Sequence, residues 1–404
     1  MNKKQQKTFI RWVYMVIGVI SMLFAGILYA WSILKAPLST EFGWEPSQLA
    51  FNFTIAMTFF CIGGLVGANI FRRMGHRIAL ITAGVFSALG FGLTSLLSGN
   101  SVVLLYITYG VLAGLGIGIA YNVLIATVSA WFPDKKGLCS GCMMMGFGAS
   151  ALILGNLADA MFKSTLGWRT TYVILGVVIF VILVLAAFLL KLPSADVLFE
   201  KKAAKKENNT EQRDFTTKEM LCRPSFWMGF LCISFLAALG SSVISFAKDI
   251  ALSVNAPEAL AVSLVGVLSI SNGIGRILTG VAFDIAGRRK TMLSANALAI
   301  CAAGVILIAV SFTSLPLCVV GLCLAGMSYG SCATMSATFT SSFFGMKYFS
   351  NNMAIMTCNA MVASFVATIS AKVFEATGGY TVTFIMLLAL ACVAFVLNIF
   401  VRRP

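Results

Sequence analysis

Charge is what this sequence has least of. Asp, Glu, Lys and Arg make up only 11% of its 404 residues, and just 14 of those are acidic. A water-soluble domain carries about 25% charged residues, which keep its surface wet. With 59% hydrophobic residues and a mean hydropathy of +0.94, this chain could not cover itself with polar groups in water. A bilayer is the solvent that suits it.

Histidine is nearly missing as well, with His76 the sole example. No cluster of His, Cys and carboxylates gathers at one depth, so neither a metal site nor an acid–base enzyme has its parts, and no cofactor is expected. No polar stretch is long enough for the soluble domain that a membrane sensor would carry. The 11 cysteines lie almost entirely in apolar segments, where a thiol packs as a small hydrophobe. Cys139 and Cys142 form a CxxC, yet no second pair or neighbouring histidine completes a metal site. The first apolar stretch is too long for a cleavable signal peptide and lacks a small-residue cleavage site.

What is present is a succession of long apolar runs. About 20 apolar residues cross a bilayer as a helix, and on that rule the chain divides into twelve spans. The first six, α1–α6, fall near 12–34, 48–70, 78–98, 101–124, 138–161 and 170–191. The second six, α7–α12, fall near 225–248, 259–283, 291–311, 315–338, 350–372 and 380–401. The fold class expected is therefore all-α and membrane-embedded, with six-helix halves at 1–192 and 224–404 joined by a solvated polar linker over 193–223.

The net charge of +15 invites a nucleic-acid reading, but its placement argues otherwise. Basic residues cluster in short segments between apolar runs, as in cytoplasmic loops. Placing both termini and the linker inside puts 23 of the 29 Lys and Arg on the cytoplasmic side. The outside keeps Lys35, Lys163, Arg169, Lys248 and Lys372, and Arg276 remains within a span. Lys35, at the outer end of α1, reads as a snorkelling helix-end lysine, with a role as the first cation met by an incoming anion as the alternative.

The halves echo one another. Gly75 and Arg77 after α2 correspond to Gly287 and Arg289 after α8, an offset of 212 residues. Phe132 and Lys135 after α4 correspond to Phe344 and Lys347 after α10 at the same offset. An offset shared by equivalent loops indicates internal duplication, as in transporter folds built from two six-helix repeats. Glycine runs such as Gly114–Gly116–Gly118 mimic nucleotide loops, but no strand precedes them and close helix contact accounts for them better.

Arg276 is the candidate for function that the residues themselves single out. It lies in the apolar stretch 259–283, about five residues cytoplasmic of its centre, or roughly 7–8 Å at 1.5 Å per residue. A guanidinium at that depth costs at least ~2.5–3.5 kcal/mol on insertion scales. No Asp or Glu lies near mid-membrane: Asp159 and Asp249 fall near outer helix ends and Asp284 near an inner one. At ~4 Å and an effective dielectric near 20, a bound carboxylate would return about 4 kcal/mol, and the guanidinium fork suits it. The alternative is that Arg276 bonds helix carbonyls or reaches Asp284, two turns on. Tyr29, Tyr121, Asn122, Phe147, Asn272, Tyr329 and Asn359 lie at similar depth and could shape an organic-acid pocket, or serve as interhelical contacts.

These features resemble the major facilitator superfamily. Gly280-Val-Ala-Phe-Asp284-Ile-Ala-Gly287-Arg288-Arg289 matches that superfamily's loop signature between α8 and α9. The equivalent loop from Gly67 to Arg77 departs from it, with Arg72 where an Asp is usual, so any latch there must be built differently. The resemblance implies gating roles for Asp284, Arg288 and Arg72. Within the superfamily the chain is similar to the oxalate–formate antiporter family, related to the monocarboxylate transporters. The segments carrying this are Tyr29-Ala-Trp31-Ser, Trp131-Phe-Pro-Asp-Lys-Lys-Gly137 and Asn272-Gly-Ile-Gly-Arg276.

In that family the matching arginine contacts the substrate carboxylate, and positions matching Tyr29, Tyr121, Phe147 and Tyr329 line the cavity. Its oxalate-carrying members have a lysine in α11, where this chain has Asn359 or Ala360. One arginine leaves a dianion half-compensated in a low-dielectric cavity. The resemblance thus implies a monocarboxylate such as lactate, formate or pyruvate ahead of oxalate, moved by alternating access with proton symport or anion exchange. The partners expected are a small organic acid anion, a proton or counter-anion, and the bilayer, with the chain acting as a monomer. A proton-driven exporter of cationic drugs on the same fold would want an acid where this sequence offers arginine.

Overall fold

The computed structural model describes residues 3–98, 101–132, 136–193, 214–345 and 348–401. Most of the linker, Pro133–Lys135, Lys347, Arg402 and Arg403 lie outside the described residues, as does the side chain of Asp284.

Among the described residues the elements are helices, and eleven are long and apolar enough to cross a membrane. One of these, Pro46–Ser95, has 50 residues. At 1.5 Å per residue that is roughly twice the span of a bilayer. It is α2 and α3 joined end to end, which makes twelve spans. The others are Phe9–Phe42 (α1), Val102–Ser129 (α4), Cys142–Lys163 (α5), Gly167–Leu189 (α6), Pro224–Ser253 (α7), Glu258–Phe283 (α8), Ile285–Ser311 (α9), Leu315–Phe344 (α10), Ile355–Thr377 (α11) and Tyr380–Phe400 (α12).

The α2–α3 and α8–α9 joints carry the duplication into three dimensions. Gly75 has φ 83° and ψ 171°, and Gly287, 212 residues on, has φ 73° and ψ 170°. A side chain at positive φ clashes with its own backbone, so both joints turn at glycine.

Several spans are less regular than hydropathy suggests. A five-residue 3₁₀ segment, Gly26–Ala30, interrupts α1, and a π-helical stretch, Tyr106–Ala113, occupies α4. α11 is broken at Cys358, between Phe349–Thr357 and Asn359–Thr377. Hydropathy averages over windows longer than these breaks.

Proximity divides the chain into two compact units. The first holds residues 1–28 and 55–209, the second residues 29–54 and 210–404. This grouping by contact is distinct from the division by repeat, because residues 29–54 belong in sequence to the first half.

In the first unit α1 packs on α4, α5 and α6. Phe91, Tyr109 and Tyr172 form a buried aromatic core with ring centroids 5.4–6.5 Å apart. Trp131 donates from Nε1 to the Lys191 carbonyl at 2.6 Å, and His76 Nε2 is bonded to the Leu190 carbonyl at 2.9 Å. The tryptophan of the Trp-Phe-Pro-Asp segment thereby tethers the end of α6.

In the second unit α10 packs along α8 and α9, and α7 packs on α11 and α12. The α8–α10 contact is tight because glycines sit on both faces. A methyl at Gly330 would overlap the Asn272 carbonyl, and one at Gly275 would overlap that of Met327. The α1–α2 hairpin over residues 29–54 is bound into this unit. Within it, Trp31 Nε1 donates to the Leu49 carbonyl at 3.0 Å, and Thr54 Oγ1 donates to the Ser364 carbonyl of α11 at 2.5 Å.

Candidate functional site

α8 presents Asn272 and Arg276 on one face, since residues four apart are helical neighbours. Arg276 Nε donates to Asn272 Oδ1 at 3.2 Å. The same turn is fixed from α10, where Thr334 Oγ1 donates to the Arg276 carbonyl at 3.2 Å. Arg276 is half-buried, whereas Asn272 is only 1% exposed. The Asn272 Nδ2 is buried and has no hydrogen-bond acceptor among the described residues. Leaving a buried donor unmade costs about 1–3 kcal/mol, so this amide is a cost in the fold placed directly beside a guanidinium.

Tyr329 of α10 and Tyr29 of the 3₁₀ segment in α1 stand near this pair. Both are 7% exposed, with ring centroids 6.3 Å apart and planes at 68°. Tyr29 and the Arg276 charge both act electrostatically on Tyr329. The second unit therefore brings Arg276, Asn272, Tyr329 and Tyr29 into one neighbourhood. Asn359 serves another contact: its Nδ2 donates to Ser336 Oγ at 2.8 Å and to the Met356 carbonyl at 2.7 Å, which ties α11 to α10 beside the break in α11.

In the first unit Tyr121 and Phe147 meet through Phe60. Centroids are 5.1 Å apart for Phe60–Tyr121, 5.3 Å for Tyr121–Phe147 and 6.2 Å for Phe60–Phe147. This edge-on cluster joins α2, α4 and α5, and Phe60 had no feature in the sequence to mark it out. Asn122, one residue beyond Tyr121, turns to a different face. It is exposed, and its amide lies over Gly64.

Of the gating candidates, Arg72 is exposed and donates from Nη2 to Asn69 Oδ1 at 3.2 Å, within its own helix. Arg288 lies 4.3 Å over the Phe343 ring, at the end of α10.

One expectation is overturned. Lys35 does not snorkel: it is 5% exposed, its Nζ is 2.7 Å from Asp249 Oδ2, and it sits 4.4 Å over the Phe246 ring. The cause is that α1 is helical through Phe42, so Lys35 lies about two turns inside the helix rather than at its end. Its partner comes from α7, 214 residues away, where no local pattern could point to it.

The serines of α7 were also unmarked. Ser241 and Ser245, one turn apart, are buried, and their hydroxyls have no partner among the described residues. Their spacing of four within an apolar helix is the signal that could have found them.

Comparison with known proteins agrees with this architecture. The sequence model of the Major Facilitator Superfamily matches residues 13–368. An MFS-type transporter of Escherichia coli (strain K12), YhjX, is 28% identical over 353 residues, covering 86% of this chain and 84% of that protein. The oxalate:formate antiporter of Oxalobacter formigenes is 28% identical over 285 residues, covering 70% of this chain and 65% of the antiporter. Mouse monocarboxylate transporter 12 is 25% identical over 276 residues, covering 62% of this chain and 55% of its own. Among solved structures, the nucleoside transporter NupG superposes with a TM-score of 0.74 at 12% identity, covering 96% of this chain and 99% of NupG. A bacterial homologue of the lysosomal transporter Spinster superposes with a TM-score of 0.70, also at 12% identity, covering 97% of this chain and 96% of its own. At that identity the superpositions speak for the fold alone. With twelve spans, a glycine joint repeated at the same place in each half and a family match from residue 13 to residue 368, the chain belongs to the Major Facilitator Superfamily and is a multi-pass membrane transporter, not an enzyme.

Proposed function

We propose that this transporter carries small monocarboxylate anions of the lactate, formate and pyruvate class by alternating access, coupled to proton symport. The single observation behind this reading is the Asn272–Arg276 turn of α8. Asn272 Oδ1 holds the guanidinium by Nε and so sets its orientation, while the Asn272 Nδ2 is a buried donor lacking an acceptor among the described residues. A carboxylate drawn to the guanidinium brings both the counter-charge that a cation at this depth needs and acceptor oxygens to the turn that carries the amide. A cationic cargo would do neither.

The role assignments follow from this. Arg276 and Asn272 bind the carboxylate, and Tyr29 and Tyr329 close the polar side. Tyr121 and Phe147 are assigned a substrate-binding role by the family resemblance alone. Asn122 and Asn359 take supporting positions, and Asp284, Arg288 and Arg72 act in gating. The repeat units are 1–192 and 224–404, the termini and the linker face the cytoplasm of a cytoplasmic membrane, and one chain is the working unit. The similarity to an oxalate:formate antiporter supports anion exchange as the second reading. The α11 position, Asn359 or Ala360, supplies no second cation, which suits one negative charge better than two.

Purified protein in liposomes tests this. Labelled lactate or formate is expected to accumulate, more so with an inward proton gradient, and Arg276→Gln is expected to abolish uptake while the protein stays monodisperse. Undiminished uptake by that variant rejects the site; uptake of organic cations with none of acids rejects the function.

A further inference from the structure

A second cationic site lies away from Arg276, at the end of the second unit that carries the α1–α2 and α7–α8 turns. A cavity of about 200 Å³ opens there between α1, the start of α2, α7, α11 and α12. Its polar groups are Lys35, Ser39, Asp249 and Tyr380; Leu49, Phe246 and Phe374 form its apolar wall.

The ion pair in this cavity is lopsided. The Lys35 side chain is 6% exposed, whereas that of Asp249 is 38% exposed. Burying an ammonium costs several kcal/mol unless a counter-charge and further contacts return it. Here the counter-charge is Asp249 at 2.7 Å, and the Phe246 ring at 4.4 Å adds a cation–π contact. Because the cation is enclosed and the anion stands at the mouth, the anion is the member of the pair that another anion can replace without exposing the lysine. The neighbouring Lys248, 5% exposed, is bound to Glu258 at 3.2 Å, so it is not a competing claimant for Asp249.

The walls limit what can enter. Phe374 and Tyr380 stack with centroids 4.5 Å apart and give the cavity a flat wall of two rings. At about 200 Å³ the space is below the 300–1,000 Å³ of drug-sized pockets. It therefore takes a molecule of a few heavy atoms with one negative end and a short apolar remainder. Displacement of Asp249 would also undo a tie between α1 and α7, at the end where the Ser47 amide donates to Glu375 of α11.

We propose that Lys35 is a second, exchangeable carboxylate site, in which a small monocarboxylate takes the place of Asp249 and so releases α1 from α7. The choice of ligand rests on the anion-carrier reading above; the site itself does not. The test is labelling of Lys35 in the full-length protein by an amine-reactive reagent, read by peptide mass spectrometry. Asp249→Asn is expected to raise the labelling rate roughly tenfold, because the amine loses the ion-pair partner that holds it and covers it at 2.7 Å. Lactate, against chloride at equal ionic strength, is expected to bring the rate back down, and to do so equally in an Arg276→Gln background. No rise in the variant, no protection by lactate over chloride, or protection that vanishes with Arg276→Gln overturns the proposal.

Equilibrium dialysis keeps the test decisive if Asp249→Asn does not fold. Arg276→Gln protein should retain one lactate site per chain, and adding Lys35→Gln should remove it. No lactate bound before that second change, or the same amount after it, is equally fatal. Neither readout measures uptake, so a failure here is distinct from a failure of Arg276→Gln to stop transport.

Discussion

Arg276 Nε donates to Asn272 Oδ1 across one turn of α8, at 3.2 Å. The bond fixes which edge of the guanidinium is occupied. It also determines how the asparagine amide is turned, since the oxygen faces the arginine and the nitrogen is left buried without an acceptor among the described residues. Geometry and charge at this turn are therefore one arrangement, and a change to either residue acts through the other.

Arg276→Lys keeps the charge but not the fork. A lysine is a point charge that cannot be held by Nε against Asn272 while engaging a carboxylate with two parallel bonds. Uptake efficiency in liposomes should fall by tenfold or more, with the variant still purifying as a monodisperse protein. Wild-type uptake in the lysine variant would show that charge alone suffices.

Asn272→Asp should be more damaging than its size suggests. It places a carboxylate on the same face, four residues from the arginine, where an internal ion pair forms. The protein then carries its own competitor for the guanidinium. Lactate KM is expected to rise at least tenfold, while thermal stability holds or increases. A KM unchanged from wild type would separate Asn272 from the substrate.

Gly75→Ala and Gly287→Ala should behave alike. Both glycines turn a helix joint at φ 83° and 73° with ψ near 170°, a region essentially reserved to glycine, where a Cβ costs about 1–3 kcal/mol. Nothing lies within 4 Å of either position, so the cost is conformational rather than steric. A drop in melting temperature of similar size in both variants is the expected result, measured by fluorescence-detected unfolding in detergent.

Gly330→Ala tests packing instead. The added methyl would meet the Asn272 carbonyl, so α8 and α10 must separate. Overpacking of this kind costs about 1–3 kcal/mol. Because the displaced turn carries Asn272 and leads to Arg276, lactate uptake should fall along with stability. A variant that loses stability with transport intact would show that the site tolerates movement of α8.

Much of the fold is legible in the sequence because a bilayer imposes a rule that acts on each segment separately. A helix must offer about 20 apolar residues to cross, whatever it packs against, so α1 to α12 can be counted without knowing their neighbours. Arg276 is legible for the same reason: a guanidinium inside an apolar run is anomalous by its position in the chain alone. The joint at Gly75 and Gly287 is visible as a repeated spacing, to which the fold adds a shared backbone conformation.

Relationships between distant segments were not legible. Lys35 looks like any lysine near the end of an apolar run, and its burial depends on α1 continuing to Phe42 and on Asp249 arriving from α7. The aromatic trio of Phe60, Tyr121 and Phe147 draws on three helices, and Phe60 is one of 32 phenylalanines. The orphaned amide of Asn272 cannot be inferred from composition, since it depends on the rotamer chosen when Arg276 takes the other atom.

By itself, then, the order of residues determined that this chain lives in a membrane, crosses it twelve times in two related halves, and holds one arginine in oil. These follow from hydropathy and spacing, which are properties of a segment and its solvent. Tertiary structure alone decided which anions meet which cations, which glycines let helices touch, and which polar atoms are left without a bond. Those depend on distances across hundreds of residues, where an ion pair of 2.7 Å and a separation too large to matter are written with the same letters.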